Sequence, residues 1–126
     1  MILCDTNILI ELYRGNTDIV AAVELIKQEN VVISDVTRAE LFVGALNKRE
    51  LQVLCKEVNR LAILPVQPDI SAMSIELLVK YGLSHNLDFH DALIAATAVC
   101  HNLELYTLNV KDFIFIPELK LYSAKA

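Results

Sequence analysis

Paired cysteines, long apolar runs and an excess of basic residues are all missing from this chain of 126 residues. Its three cysteines, Cys4, Cys55 and Cys100, lie far apart and form no CxxC pair. An odd number of widely spaced cysteines excludes a disulfide framework and a cysteine-ligated zinc site, and it indicates a reducing compartment.

No stretch of the sequence is long and apolar enough to predict a membrane span. Such a helix needs about 18 consecutive apolar residues, whereas the best candidate, ALIAATAVC, covers only residues 92–100. No positively charged start leads into a short apolar segment, so we expect a cytoplasmic protein and no membrane partner. The chain is nevertheless 55% hydrophobic with a mean hydropathy of +0.45. This excess predicts a protein interface, such as a homodimer or a bound partner, beside the core.

The shortage of basic residues bears on nucleic acid binding. Eleven Lys and Arg stand against 16 Asp and Glu, for a net charge of −5. Phosphate contacts require a basic surface, so the total charge argues against a nucleic acid partner. That objection weakens if many of the acids gather in one pocket, because the rest of the surface is then less negative than the total.

Short β-like runs alternate with helical ones along the chain, without repeats, linkers or low-complexity segments. This alternation predicts a single α/β domain over residues 1–126, a three-layer α/β/α sandwich with a central parallel sheet of four to five strands. The predicted strands are Ile2–Cys4, Val31–Ser34, Ile63–Val66 and Glu104–Thr107, with Lys120–Tyr122 as the fifth. The predicted helices are Asn7–Arg14, a helix capped by Thr17 that continues to Ile26, Val36–Leu46, Glu50–Leu61, Pro68–Tyr81 and Asp88–His101.

Four acidic residues fall where the carboxyl ends of the predicted strands meet, the edge at which open parallel sheets bind ligands. Asp5 leaves the first strand, and Glu40 lies on the helix after the second. Asp91 is in the first turn of the last helix, where Asp88 is the expected N-cap, and Asp112 follows the fourth strand. The pattern predicts that these four carboxylates converge.

Clustered carboxylates repel one another unless cations bind among them or some stay protonated. Oxygen ligands of this kind suit Mg²⁺ or Mn²⁺. One or two such ions activate water and neutralise charge on a phosphodiester. Thr6, Thr107 and Asn109 are the small polar residues expected to bind the surrounding waters or to hold the carboxylates in place.

Four motifs, in the order CDTNILI, TRAEL, HDALIAATA and TLNVKDF and spread over nearly the whole chain, closely resemble the PIN domain. The chain length and the DALIAATA helix are most similar to VapC-type toxins of prokaryotic toxin–antitoxin pairs. The resemblance implies that Asp5, Glu40 and Asp91 are the core metal-binding acids, with Asp112 as the fourth. Thr6, Thr107 and Asn109 are implied as supporting polar residues.

The resemblance also implies a Mg²⁺- or Mn²⁺-dependent endoribonuclease that cuts structured RNA such as tRNA or rRNA. It implies a homodimer, within a larger toxin–antitoxin assembly, that is held inactive by an antitoxin segment filling a groove. Leu12, Phe42 and Leu46 are candidate groove residues. The motif TLN carries Leu108 where the family usually has arginine, which removes one expected phosphate contact. The basic residues nearest the predicted edge are Arg14, Arg38, Lys48, Arg49 and Lys111.

Other classes of protein fit the sequence less well. The pair His90–Asp91 is found in metal phosphohydrolases, but these are mainly helical and draw their ligands from well-separated helices. Here strands interrupt the chain, and the only histidine besides His85 and His90 is His101, after the pair. Aspartate-nucleophile phosphatases need a second acid at the position of Asn7, and receiver domains need an earlier acidic pair. The main alternative is a PIN-like binding module with little catalytic turnover that acts through its antitoxin complex.

Overall fold

The computed structural model describes residues 1–123, which form five strands and six α-helices, with two α-helices after each of the first three strands. The strands are β1 (Ile2–Cys4), β2 (Val31–Ser34), β3 (Ala62–Leu64), β4 (Glu104–Tyr106) and β5 (Lys120–Leu121). The helices are α1 (Thr6–Tyr13), α2 (Thr17–Ile26), α3 (Asp35–Val43), α4 (Lys48–Val58), α5 (Pro68–Tyr81) and α6 (Phe89–Cys100). The predicted α/β class is confirmed.

All five strands are parallel and lie in the order β3-β2-β1-β4-β5, which places β1 at the centre. Successive side chains of a strand point to opposite faces of a sheet, and both faces are covered here. One core cluster contains Leu3, Val32 and Leu105, and the other contains Cys4, Ile33 and Tyr106. A sheet buried on both faces explains why its strands read as continuous apolar runs.

The helices form a layer on each side of the sheet. Helices α5 and α6 contribute to the cluster around Leu3, and α1, α2 and α4 contribute to the cluster around Cys4. Four alanines of α6 are completely buried: Ala92, Ala95, Ala96 and Ala98. Their small side chains let α6 approach its neighbours closely, which completes the predicted three-layer sandwich.

Some helix ends differ from the predicted ones. Asn16, rather than Thr17, caps α2, because its side-chain oxygen accepts hydrogen bonds from the backbone N–H groups of residues 18 and 19. Helix α3 ends at Val43 before Gly44 and does not reach Leu46. Helix α4 begins two residues earlier than predicted because Asn47 caps it through the N–H of Glu50.

None of the helices between residues 1 and 123 has both the length and the apolar character needed to cross a bilayer. The longest of them, α5, contains 14 residues.

Candidate active site

Asp5 is the central acidic residue of the candidate site. Its backbone N–H donates to the carbonyl of Tyr106 at 2.9 Å, which continues the β1–β4 ladder by one residue. The chain then turns, and the Asp5 side chain caps α1 by accepting from the N–H of Thr6 at 2.8 Å. Strand pairing and helix capping together fix the carboxylate where β1 ends. Only 6% of the residue is exposed.

Two side chains from neighbouring segments hold the same carboxylate. The Thr107 hydroxyl, directly after β4, donates to Oδ2 of Asp5 at 2.8 Å. The Asn7 amide lies 3.4 Å from both Asp5 Oδ2 and Thr107 Oγ1, and its oxygen accepts from the N–H of Leu108 at 3.1 Å. Asn7 thereby links the start of α1 to the segment after β4.

Glu40 approaches this group from α3. Its Oε1 accepts a 2.8 Å hydrogen bond from the Thr6 hydroxyl, which also lies 3.2 Å from the hydroxyl of Thr37. A hydroxyl has one proton to donate. The Thr6 hydroxyl donates its proton in the hydrogen bond to Glu40, so in the hydrogen bond between the two threonines Thr37 is the donor and Thr6 the acceptor. The other Glu40 oxygen, Oε2, lies 3.5 Å from Nδ1 of His90 on α6. Glu40 therefore contacts residues of both α1 and α6.

Asp91 lies in the first turn of α6. Asp88 is the N-cap, as predicted, because its Oδ1 accepts from the Asp91 N–H at 2.8 Å. Burial raises the pKa of Asp91 from 3.8 to about 7, with the negative charges of Asp88, Asp5, Asp112 and Glu40 adding to the effect. The three other predicted acids thus lie within electrostatic range of Asp91. Burial also raises the pKa of Asp5, while its hydrogen bonds to Thr107 and Thr6 oppose that rise.

Asp112 and Asn109 are placed more loosely. Asp112 is exposed at the end of a short 3-10 helix, Val110–Asp112. Its negative charge contributes to the raised pKa of Asp91. The backbone N–H of Asn109 donates to the Thr107 hydroxyl at 3.1 Å. Asn109 thus supports the hydroxyl that holds Asp5.

The negative charges of the four acids are not balanced by lysine or arginine side chains of the described residues. Within residues 1–123, no Lys or Arg forms an ion pair with Asp5, Asp91 or Asp112, and Glu40 has only His90. In the same part of the chain, no three His, Cys, Asp or Glu side chains are grouped so that they could hold one metal ion. The acids are therefore close enough to repel one another without surrounding a single point.

Three contacts of the site were not predicted from the sequence. Thr37 is completely buried, and its position one turn before Glu40 on the same helix was the available signal. Asn7 follows Asp5 by two residues, within reach of the same carboxylate. His90 reaches Glu40 across two helices, which no local pattern reveals.

An apolar groove extends from the site between α1, α3 and α4. We call it the α1–α4 groove; it has a volume of about 680 Å³. Its lining consists of Ile10, Tyr13, Arg14, Glu40, Leu41, Gly44, Leu46, Glu50, Val53, Leu54 and Glu57. Among the candidate groove residues, Leu46 lines it and is 86% exposed. Phe42 does not line it but packs against the core, and Leu12 lines an adjoining pocket.

The chain is similar to known proteins over most of its length. The PIN domain pattern matches residues 2–114. The chain is 34% identical over 125 residues to ribonuclease VapC10 of Mycobacterium tuberculosis, which covers 95% of this chain and 91% of that protein.

Two solved structures show the same fold over nearly the whole chain. One, a toxin–antitoxin complex from Klebsiella pneumoniae, superposes with a TM-score of 0.83 at 34% identity, covering 99% of this chain and 98% of that one. The other is VapBC2 from Rickettsia felis bound to a DNA fragment from their promoter. It superposes with a TM-score of 0.78 at 28% identity, covering 97% and 98%. The matched pattern and these relatives establish that the chain belongs to the PIN domain family.

Proposed function

We propose that this protein is a metal-dependent endoribonuclease that hydrolyses phosphodiester bonds in structured RNA such as tRNA or rRNA. In this proposal it is the toxin of a type II, VapBC-like toxin–antitoxin pair. The observation that carries the proposal is the pKa of Asp91, raised to about 7 by burial and by four neighbouring carboxylates. Perturbed acids at the ligand-binding edge of a parallel sheet are typical of active sites. The relatives named ribonuclease VapC supply the reaction class.

The donor set suits Mg²⁺ or Mn²⁺, because carboxylate and hydroxyl oxygens are the ligands that these hard cations prefer. Asp5 and Asp91 would hold the ion directly, with Glu40 and Asp112 binding directly or through water. Mg²⁺ commonly keeps several waters and uses one or two carboxylates, so the site does not need three acids around one point. When bound, the metal would supply Lewis acidity that activates water and offsets phosphodiester charge.

The protein's own part is to fix the acids in advance. Strand β1, the α1 cap and Thr107 hold Asp5, while Thr6 and His90 hold the two oxygens of Glu40. Such preorganised carboxylates need little rearrangement during the reaction. No nucleophilic side chain is required, because water is the nucleophile of phosphodiester hydrolysis.

We propose that the antitoxin occupies the α1–α4 groove. The groove contains Ile10, Leu46 and Val53. Its three acids, Glu40, Glu50 and Glu57, outnumber Arg14, the single basic residue in its lining. An amphipathic segment with apolar anchors and basic side chains complements this surface. Glu40 lines the groove, so an occupant would also cover this acid of the candidate site. Two of the solved relatives are described as toxin–antitoxin and VapBC complexes.

We also propose that this protein forms a homodimer. The exposed apolar side chains of Val43 and Phe89, 87% and 50% exposed, flank a hollow between α3 and α6. Sedimentation velocity of the purified chain tests this part separately, and a monomer at micromolar concentration would contradict it.

A cleavage assay tests the nuclease. Antitoxin-free protein is incubated with a panel of tRNA and rRNA fragments in Mg²⁺, in Mn²⁺ and in EDTA. We expect cutting that needs the metal and that falls by at least about 100-fold in D5N, since metal charge stabilisation is worth several kcal/mol.

The matched control is D18N, which removes the same charge from an exposed position at the start of α2. It should cut as the parent does. D5N that cuts at the parental rate would overturn the mechanism. Folded, metal-binding protein that cuts no RNA would instead favour the binding module.

A further inference from the structure

Helix α4 carries opposite charges on two sides. Glu50 and Glu57, seven residues apart and hence on one face, line the α1–α4 groove. Lys48, Arg49, Gln52 and Lys56 line a second, shallow depression that shares Val53 with the groove, and all four are exposed. We call these four residues the basic face of α4. Residues 48, 52 and 56 follow one another at i, i+4 spacing, so they form a row along the helix.

The cations of this face are available for a partner. Three of the arginines elsewhere form local ion pairs: Arg14 with Glu11, Arg38 with Asp35 and Arg60 with Glu57. Within residues 1–123, neither Lys48, Arg49 nor Lys56 has an acidic partner within ion-pair distance. A protein with a net charge of −5 therefore carries a local cluster of three uncompensated positive charges.

The helix that carries the basic face also borders the groove that Glu40 lines. Asn47, the N-cap of α4, stands four residues after the end of α3, the helix that carries Glu40. Glu40 and Glu50 line the same groove, so the first turn of α4 and one acid of the site border the same space. From Lys48 to Lys56 the helix rises by about 12 Å. Such a row can contact successive phosphates of one nucleic acid strand.

We propose that the basic face of α4 binds the phosphate backbone of the RNA substrate outside the bond to be cut. This inference rests on the proposed nuclease function and supplies what its active site lacks. The acids repel a phosphodiester, and Leu108 contributes no positive charge, so binding energy must come from elsewhere. Lysine and arginine contacts to phosphate do not depend on sequence, and the Gln52 amide can donate to phosphate or ribose. The face thereby holds and orients the RNA strand while the acids act on it.

The test measures binding without cleavage. We compare D5N with D5N carrying K48Q, R49Q and K56Q, using bulk tRNA as the probe and filter binding between 50 and 200 mM NaCl. We expect the triple substitution to raise Kd by roughly tenfold or more. It should also reduce the slope of log Kd against log salt by about 2 to 3, the loss of three phosphate contacts.

The control is D5N carrying K27Q, K80Q and K120Q. These substitutions remove the same total charge from the end of α2, from α5 and from β5, respectively. It should leave Kd and the salt slope close to those of D5N. Equal weakening by both triples would reduce the effect to net charge and overturn the assignment, as would unchanged binding in the α4 triple. Weakened binding of a duplex DNA of similar length, with tRNA binding unchanged, would assign the face to DNA instead.

Cleavage kinetics separate this inference from the function on which it rests. In the otherwise parental protein, the α4 triple should raise KM for a long structured RNA and leave its kcat unchanged. A lower kcat would show that the basic face of α4 takes part in the chemical step, and it would contradict the proposal. If the parent cuts nothing, the proposed function fails, and the D5N binding series still decides whether α4 holds RNA.

Discussion

The hydroxyl of Thr6 lies 2.8 Å from Oε1 of Glu40, across 34 residues of sequence. This bond joins the first turn of α1 to α3, and Thr6 also supplies the N–H that Asp5 accepts. One threonine therefore sets the separation of two acids of the site. The hydroxyl of Thr37, which is buried away from solvent, extends this contact by hydrogen bonding to the Thr6 hydroxyl.

Replacing Thr37 with valine removes the last hydroxyl of that chain while keeping nearly the same volume. We expect T37V to lower the free energy of unfolding by about 0.5–1.5 kcal/mol, the usual value of one hydrogen bond. The effect should be smaller when Glu40 is already glutamine, because the substituted group no longer carries the charge that orients Thr6. Chemical denaturation of the parent, T37V, E40Q and the double variant in EDTA measures how far the two substitutions are coupled in the free energy of unfolding.

Thr97 offers a matched comparison for that cycle. It is also fully buried, and its hydroxyl donates to the carbonyl of Leu93, within α6. The losses in the free energy of unfolding caused by T97V and by E40Q should simply add, without coupling. Coupling of equal size for both threonines would show that Thr37 has no special relation to Glu40.

The raised pKa of Asp91 predicts how metal-free stability depends on pH. The folded carboxyl titrates near pH 7, compared with the ordinary value of 3.8. Between these values the folded state binds more protons than the unfolded state. The free energy of unfolding therefore falls as pH rises from about 4 to above 7. Thermal unfolding in EDTA between pH 5 and 8 should show this decline, and D91N should make it shallower. D18N should keep the parental profile, and a D91N profile as steep as the parental one would contradict the assignment.

Metal binding should reverse this destabilisation, because a cation offsets the repulsion among the acids. With Mg²⁺ or Mn²⁺ at 100 times its Kd, mass action adds about 2.7 kcal/mol to the free energy of unfolding. D5N should lose most of this gain, although without metal it should be as stable as the parent or more so. Thermal melts with and without metal measure both effects. Equal metal stabilisation of D5N and the parent would place the ion elsewhere.

The buried alanines of α6 predict a purely structural effect. Ala95 is completely buried against neighbouring elements, so A95L introduces side-chain atoms for which there is no space. We expect a loss of about 1–3 kcal/mol in the free energy of unfolding. A21L, at an exposed position of α2, should change stability little. Urea denaturation compares the two, and equal effects would mean that α6 is less closely packed than the structure shows.

Local patterns were sufficient for much of the architecture. The boundaries of β1, β2 and α5 match their predicted ones, because an apolar run, or a proline followed by helical spacing, fixes them locally. The same holds for the cap at Asp88. The end of α3 was predicted three residues too far along the chain, because Leu46 has apolar character but lines the groove instead of continuing the helix.

The sequence by itself determined the parallel α/β order. It also predicted which four acids lie at one edge of the sheet, since strand ends and helix starts deliver them there. Only the tertiary structure decided their environment. Packing between distant segments brings Thr37 to Thr6, Asn7 to Thr107 and His90 to Glu40. The pKa of Asp91 depends on burial and on the charges of residues 5, 40 and 112 together. Burial and electrostatic interaction are set by distances in space, and a linear sequence does not contain those distances.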